Sequence, residues 1–119
     1  MGVTGIGGFF FRAKDPDALR DWYARHLGVG SAPYGQWETQ GGPSVFSPFK
    51  ADTDYFAPDR QWMINLRVDG LDAMLTTLRS AGIKVITDPG WDMPGVGRFA
   101  RIHDPEGNAI ELWEPDEAG

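Results

Sequence analysis

A single carboxylate lies among apolar residues near the end of the chain, in the stretch HDPEGNAIELWEP that ends at Pro115. This carboxylate is Glu111. Two further ionisable side chains, Arg101 and His103, lie shortly before it in the sequence. A carboxylate in such a setting can act as a metal ligand, as a catalytic base, or as one half of an ion pair. The role of Glu111 therefore depends on which groups the fold places beside it.

The residues before Glu111 predict a β-hairpin with a defined register. The sequence DPEG at 104–107 is typical of a type I turn followed by a glycine with positive φ, which is a common three-residue hairpin loop. In that register Arg101 lies directly across from Glu111, and an ion pair between them would contribute about 0.2–1 kcal/mol without any function. One face of the hairpin is apolar and packs on a helix: Ala100, Ile102, Ile110 and Leu112. The other face presents Phe99, Arg101, His103, Glu111 and Trp113.

The elements that must position these residues occur twice along the chain. Residues 15–28 and 69–82 are predicted to be amphipathic helices, and each one follows a strand and ends at a glycine. One such unit leaves its sheet uncovered, so two must pair. Strands are predicted at 5–13, 34–39, 44–49, 61–68, 83–87, 98–103 and 109–114. The chain is therefore interpreted as one domain, 1–119, made of a βαβββ module at 1–55 and a second at 56–119.

Composition excludes several classes of function. A net charge of −6 and a pI near 4.7 argue against a nucleic-acid partner, since a phosphate-binding surface needs concentrated Lys and Arg. The absence of cysteine excludes disulfides, thiolate metal sites and cysteine nucleophiles. No apolar leader opens the chain and no apolar run approaches the roughly 20 residues of a membrane helix. We therefore expect a cytoplasmic protein with no membrane partner.

Three stretches carry a resemblance to a known superfamily. They are KDPDALRDWYARHLGV, RVDGLDAMLTTLRSAGI and, most specifically, the ending DPEGNAIELWEP. Together they resemble the vicinal-oxygen-chelate superfamily, which contains the glyoxalases, the extradiol dioxygenases and the bleomycin-resistance proteins. The resemblance implies an α+β fold in which the two βαβββ modules pair into a curved half-barrel sheet, with the helices on its convex side.

The same resemblance implies a divalent metal held by His, Glu or Gln from the first and last strands of each module. Glu111 falls on the last-strand position of the second module. The other three positions depart from the pattern, because the first strands offer glycine, aromatic residues or methionine and the strand at 44–49 offers no such donor. A divalent ion needs several N or O donors that converge on one point. We therefore expect no tightly bound metal or other cofactor, with Glu111 as the ligand if a metal does bind.

Without a metal, the concave face is expected to hold a small molecule. An aromatic groove with a few polar anchors is the usual form of a small-molecule site, and aromatic faces attract cations. The predicted ligand-binding residues are Trp37, Trp62, Phe99, Arg101, His103 and Trp113.

We therefore expect a binding protein for an aromatic or cationic small molecule, acting as a homodimer. The alternative is an enzyme, a glyoxalase-like lyase or isomerase or a relative of the dioxygenases, with Glu111 as catalytic base or metal ligand. A third reading is an interaction subunit without a ligand. The loop at 88–97, which contains Trp91 and Met93, is either a lid over the pocket or a plain connection.

Overall fold

The computed structural model describes residues 1–116, and its regular elements lie mostly in the second half of the chain. The fold is a small α+β arrangement of two helices and a three-stranded sheet. Two single 3₁₀ turns occur at Pro33–Gly35 and Pro89–Trp91. In chain order the helices and strands are α1 (Pro16–Leu27), β1 (Ile64–Arg67), α2 (Leu71–Ser80), β2 (Gly97–His103) and β3 (Ala109–Pro115).

The sheet has β3 at its centre. This strand pairs in parallel with β1 and antiparallel with β2, so the strand order is β1–β3–β2. Arg101 lies opposite Glu111, as the hairpin sequence predicts. The predicted turn is also confirmed, because the backbone N–H of Gly107 donates to the carbonyl oxygen of Asp104 over 2.9 Å. The hairpin is therefore determined by local sequence.

The two helices begin and end close to the predicted positions. The side chain of Asp15 accepts a hydrogen bond from the backbone N–H of Ala18 at the start of α1, over 3.1 Å. Gly28 ends α1 in the left-handed conformation with a φ of 68°, which a glycine adopts at little cost. At the start of α2, the N–H of Leu71 donates to the carboxylate of Glu114 on β3 over 2.9 Å. A strand residue thus caps the second helix.

The core lies between the helices and one face of the sheet. The apolar hairpin residues Ala100, Ile102, Ile110 and Leu112 are all fully buried. They form one cluster with buried side chains of both helices. Each buried Leu or Ile contributes about 1.5–3 kcal/mol to folding. The buried helix residues of this cluster are Leu19 and Tyr23 on α1 and Leu71, Leu75 and Leu78 on α2.

The hairpin turn is attached to α1 through a buried carboxylate. Asp104 accepts hydrogen bonds from the hydroxyl of Tyr23 over 2.7 Å, from two backbone N–H groups of the turn, and from the side-chain amide of Asn108. The Glu106 carboxylate accepts from the backbone N–H groups just before α1, over 2.7 and 3.0 Å. Burial, and then the bond to Asp104, raise the pKa of Tyr23 above its usual range. The motif DPEGN thus joins the hairpin to the first helix.

The first half of the chain differs from the prediction. The stretches 5–13, 34–39 and 44–49, predicted as strands, pair with nothing in the described part of the chain, and 83–87 contributes only a single bridge, from Ile86 to Arg101. Eleven of the thirteen exposed large apolar side chains lie in residues 1–49. These stretches find no ladder partner among residues 1–116, so the predicted two-module half-barrel is not confirmed. Neither described helix is long and apolar enough to cross a membrane.

Candidate functional site

Three polar side chains form a row across the sheet, on the face opposite the core. Asn65 on β1, Glu111 on β3 and Arg101 on β2 are aligned by the strand register. Residues two apart on a strand share a face, so Glu111 shares its face with Trp113 and is separated from the core residues Ile110 and Leu112. The predicted alternation of the hairpin is therefore what brings the charged pair to one surface.

Glu111 is buried and both of its carboxylate oxygens accept hydrogen bonds from neutral donors. The side-chain amide of Asn65 donates to one oxygen over 2.7 Å, and the hydroxyl of Tyr55 donates to the other through a short hydrogen bond. No ion pair forms between Glu111 and Arg101, although the two residues are opposite one another. The ion pair that the register would allow is therefore not formed, because Tyr55 and Asn65 donate hydrogen bonds to the carboxylate instead.

Arg101 is half-buried beneath two aromatic rings. Its guanidinium carbon lies 4.6 Å from the centre of the Tyr55 ring and 5.4 Å from the centre of the Trp91 ring. One terminal nitrogen, Nη1, donates to the backbone oxygen of Tyr55 over 2.7 Å, and the other, Nη2, lies 3.4 Å from the sulfur of Met63. The Nε atom is buried and has no hydrogen-bond partner within residues 1–116. The charge of Arg101 is thus stabilised by rings and a carbonyl and by no carboxylate.

Tyr55 is a central residue of this site that the sequence did not indicate. Burial, and then the hydrogen bond to Glu111, raise its pKa to about 12, so the hydroxyl stays protonated and donates at neutral pH. It lies in the irregular stretch 50–60, between the last predicted strand of the first module and the first strand of the second. Arg60 fixes the end of that stretch to the hairpin turn by donating to the side chain of Asn108 over 2.9 Å and to the backbone oxygen of Glu106 over 2.8 Å.

Trp91 reaches the site from the loop at 88–97. The loop is held by a bond within it, in which Asp88 accepts from the N–H of Gly90 over 2.9 Å, and by a bond to the residue after β3, in which Asp116 accepts from the N–H of Gly95 over 2.7 Å. The Trp91 ring also lies edge-on to Tyr55, with 6.5 Å between the ring centres. The loop therefore covers part of the Arg101 side chain, as a lid would.

The neighbouring row on the same face is aromatic. Phe99 and Trp113 stack with their planes 4° apart and their centres separated by 6.3 Å. Gly97 lies beside them, and a Cβ atom there would be 2.7 Å from the indole nitrogen of Trp113 and 2.2 Å from a backbone oxygen, so only glycine fits. His103 lies on the other side of Arg101, at the exposed end of β2, where partial desolvation and then the charge of Arg101 lower its pKa.

Two of the predicted ligand-binding residues lie apart from this surface. Trp62 packs against Phe9 and Phe11, with 4.9 Å between ring centres in each case. Trp37 is exposed in the unpaired first half of the chain. The structure thus brings together Glu111, Arg101, Phe99 and Trp113, with His103 at their margin.

Two surface grooves lie away from the Glu111 row. The larger one, of about 430 Å³, runs between α1 and the hairpin turn, and the smaller one, of about 200 Å³, lies between α2 and the loop at 88–97. Both are open clefts. We place the candidate site at the Glu111 row because there a buried carboxylate lies opposite a half-buried guanidinium that two rings cover. Residues 1–116 contain no group of three or more His, Cys, Asp or Glu side chains that could hold a metal ion.

The chain matches a protein-family model over residues 5–112. That model is described as the Glyoxalase/Bleomycin resistance protein/Dioxygenase superfamily. The chain belongs to this superfamily. The resemblance inferred from the helices and from the DPEGN ending is therefore confirmed, and the match extends over nearly the whole chain, including the first half.

Solved structures of superfamily members resemble this chain along most of its length. TnmS3, an antibiotic-binding protein from Streptomyces sp. CB03234, is 26% identical with a TM-score of 0.62, and the match covers 98% of this chain and 99% of TnmS3. A glyoxalase/bleomycin resistance protein from the same organism is 27% identical with a TM-score of 0.51, covering 85% of this chain and 92% of that one. Both likenesses support the superfamily fold.

A shorter similarity links the chain to CFP32, a protein with a glyoxylase name from Mycobacterium bovis and Mycobacterium tuberculosis. The two sequences are 39% identical over 54 residues, which is 45% of this chain. The matched stretch spans only 20% of the length of CFP32. It therefore relates one part of this superfamily member to one part of a longer protein.

Proposed function

We propose that this chain is a small-molecule-binding protein of the glyoxalase/bleomycin-resistance type. The observation that carries the proposal is the Arg101 guanidinium beneath the rings of Tyr55 and Trp91, beside a carboxylate whose oxygens are both occupied. Rings that cover a few fixed polar groups are the usual form of a site for a planar organic ligand. The likeness to the antibiotic-binding protein TnmS3 along 98% of the chain supports the same reading.

We propose further that the site works without a tightly bound metal. The groups nearest Glu111 do not fit a divalent cation, because the guanidinium has no lone pair to donate, and a phenol that keeps its proton and a side-chain amide are weak ligands that already donate to the carboxylate. The test is titration of the purified protein with Ni, Zn, Mn and Fe ions, followed by metal analysis. Tight one-to-one uptake that is lost in Glu111→Gln would overturn the proposal and favour an enzyme.

Binding itself is tested by tryptophan-fluorescence titration with planar aromatic compounds of positive, zero and negative charge. We expect at least one of them to bind, and Trp91→Ala to weaken that affinity about tenfold, since a covering ring contributes on the order of 1 kcal/mol or more. Arg20→Ala, which removes an exposed side chain on α1 that pairs only with Asp17, is the control. The proposal fails if no aromatic compound of any charge binds.

The two-module half-barrel is proposed to form when a second copy of the chain is present. The first half of the chain presents exposed rings that a single copy does not cover, among them Phe10 at 93% and Phe46 at 94% exposure. Exposed apolar surface of this extent is typical of an interaction surface. In a homodimer these segments acquire the partners that the strands at 5–13 and 44–49 require, and Trp37 and Trp62 can then line a shared pocket.

An enzyme remains the second candidate, a glyoxalase-like lyase or isomerase with Glu111 as the base. The observation in its favour is the burial of this carboxylate next to Arg101, a cation that can stabilise a negatively charged enolate. A base must accept a proton, and Tyr55 and Asn65 already occupy both oxygens of Glu111. Turnover of the hemithioacetal of an α-oxo aldehyde, in which Glu111 would remove the proton next to the carbonyl, that disappears in Glu111→Gln would establish the enzyme.

A further inference from the structure

Arg101 differs from the other arginine on the same strand in the partners of its guanidinium. Arg98 donates to the carboxylate of Asp72 over 3.0 Å and to that of Glu114 over 2.7 Å. Arg101 is opposite a carboxylate, yet its bonds go to a carbonyl oxygen and a thioether sulfur. A guanidinium removed from water without an anionic partner is costly. The site therefore provides a cation without its counter-charge in direct contact.

The unsatisfied part of Arg101 is one edge of the guanidinium. Nε and Nη2 lie on the same edge, and arginine uses such an edge to bind both oxygens of a carboxylate. Nε has no partner within the described residues, and the thioether sulfur that Nη2 faces is a weak acceptor. The other terminal nitrogen, Nη1, is held by the backbone oxygen of Tyr55, which fixes the plane of the group. The edge that remains suits an acceptor with two oxygens.

We propose that Arg101 binds a carboxylate or a comparable acidic group of the ligand through this Nε–Nη2 edge. The acid replaces the sulfur of Met63 as the partner of Nη2 and supplies the partner of Nε. The ring of the ligand then lies against Trp91 and Tyr55, which already cover the guanidinium. This inference rests on the proposed function and names its ligand class, a planar aromatic acid.

The acidic ligand class reverses the expectation from overall charge. A net charge of −6 favours a cationic ligand at long range, but water and salt screen that field beyond about 8–10 Å. At contact distance, direct hydrogen bonds determine which ligand charge is favoured. Glu111 already accepts two hydrogen bonds, whereas the Nε donor of Arg101 has no partner among residues 1–116. A cationic group would find no carboxylate oxygen without a donor in this row.

The test uses three ligands with one ring system and different charge: 2-naphthoate, 2-naphthamide and 2-naphthylmethylammonium. Affinities are measured by isothermal titration calorimetry on the full chain. We expect 2-naphthoate to bind at least tenfold more tightly than the near-isosteric amide. Arg101→Gln should remove that preference, Arg101→Lys should retain part of it because the charge remains without the two-point geometry, and the control Arg20→Gln on the exposed face of α1 should leave it unchanged.

The possible outcomes separate this inference from the proposed function. If the amide or the ammonium compound binds as tightly as the naphthoate, the acidic ligand class is wrong and small-molecule binding stands. If a naphthoate preference persists in Arg101→Gln and in Arg101→Lys, the acid binds elsewhere and the role of Arg101 is wrong. If none of the three binds and the wider aromatic panel also fails, the proposed function itself falls. Circular dichroism of each variant establishes that it is folded.

Discussion

At the scale of single residues, Tyr55 and Asn65 decide the chemical character of Glu111. Each donates a hydrogen bond to one carboxylate oxygen, so the group that would otherwise pair with Arg101 or a cation is already satisfied. The consequence is a carboxylate that holds its neighbours in place and a guanidinium that is left to the aromatic rings. Two neutral donors thus separate an ion pair that the strand register would permit.

The hydrogen bond from Tyr55 should contribute measurably to stability. Tyr55→Phe keeps the ring over Arg101 and removes only the hydroxyl, so a buried oxygen of Glu111 loses its donor. We expect the free energy of unfolding to fall by about 1 kcal/mol in urea denaturation, with the m-value unchanged. Tyr34→Phe, at a fully exposed position, should change it by less than about 0.5 kcal/mol. Equal changes in the free energy of unfolding for the two substitutions would show that the Tyr55 hydroxyl makes no stabilising bond to Glu111.

The same hydroxyl predicts a loss of stability in alkali. The pKa of Tyr55 is about 12 in the folded chain against an ordinary 10.0, so the unfolded chain releases this proton at lower pH. Between those values the unfolded state binds fewer protons, and stability therefore falls as the pH rises from 10.0 towards 12. Urea denaturation across this range should show a shallower decline in Tyr55→Phe. An identical slope in both proteins would contradict the assignment.

Part of the residue-scale site could be predicted from the sequence. The turn DPEG and strand alternation place Arg101, Glu111 and Trp113 on one surface, and both signals are local. Tyr55 was beyond that reasoning, because it lies in an irregular stretch whose path depends on distant contacts, and for Trp91 the sequence left a lid and a plain connection as open alternatives. The bond from Arg60 to Asn108 spans 48 residues, for example, and a single sequence offers no sign of it.

At the scale of elements, the hairpin and α1 depend on one another through Asp104. Its carboxylate bonds to the turn that it initiates and to Tyr23 on the helix. A turn motif that local reasoning assigns to backbone geometry therefore also fixes the helix on the sheet. The cap of α2 by Glu114 is a second case, since a strand residue there completes a helix that has no side-chain cap of its own.

We expect Asp104→Ala to be among the more damaging polar substitutions in the chain. It leaves a buried tyrosine hydroxyl and two backbone N–H groups of the turn without an acceptor, which should cost about 3 kcal/mol. Denaturation monitored by tryptophan fluorescence measures the loss. Asp59→Ala, which removes an exposed carboxylate that touches Arg60 only at 3.9 Å, should stay within about 0.5 kcal/mol. A mild effect at Asp104 would show that packing alone holds α1.

The two helices and the hairpin followed from their sequences, whereas the strands predicted before residue 50 find no ladder partner among residues 1–116. Caps, a glycine end and apolar spacing specify a helix within one segment, so α1 and α2 lie where they were predicted. A strand needs a neighbouring strand to pair with. The apolar residues at 5–13 and 44–49 indicate that these stretches favour burial, but not which strand they pair with. The sequence pattern therefore predicts the burial of these stretches, whereas their pairing depends on which other strands are available to them.

At the scale of the whole molecule, burial is divided unequally between the halves of the chain. The core draws on both helices and on the sheet, and Leu19 and Tyr23 are the only buried side chains that residues 1–63 contribute to it. The family match nevertheless begins at residue 5, so the exposed first half is as much part of the superfamily pattern as the packed second half. This asymmetry is the reason for expecting a partner copy.

We expect the protein to be a dimer at micromolar concentration and the double substitution Phe10→Ser/Phe46→Ser to shift it towards monomer. Both rings are over 90% exposed in the single chain, so their loss costs little unless they are covered by another copy. Sedimentation velocity measures the change in mass. Ala73→Ser, at an exposed position on α2, is the control. A wild-type protein that remains monomeric, or a double variant that still dimerises, would contradict this arrangement.

The central place of β3 has a consequence for synthesis on the ribosome. The strands β1 and β2 are joined only through β3, which is the last of the three to be made. A nascent chain that has emerged as far as residue 108 therefore exposes both helix sequences and two strands with nothing to pair between them. The sheet therefore closes only after β3 has been made, and the apolar stretches that β3 covers stay exposed until then.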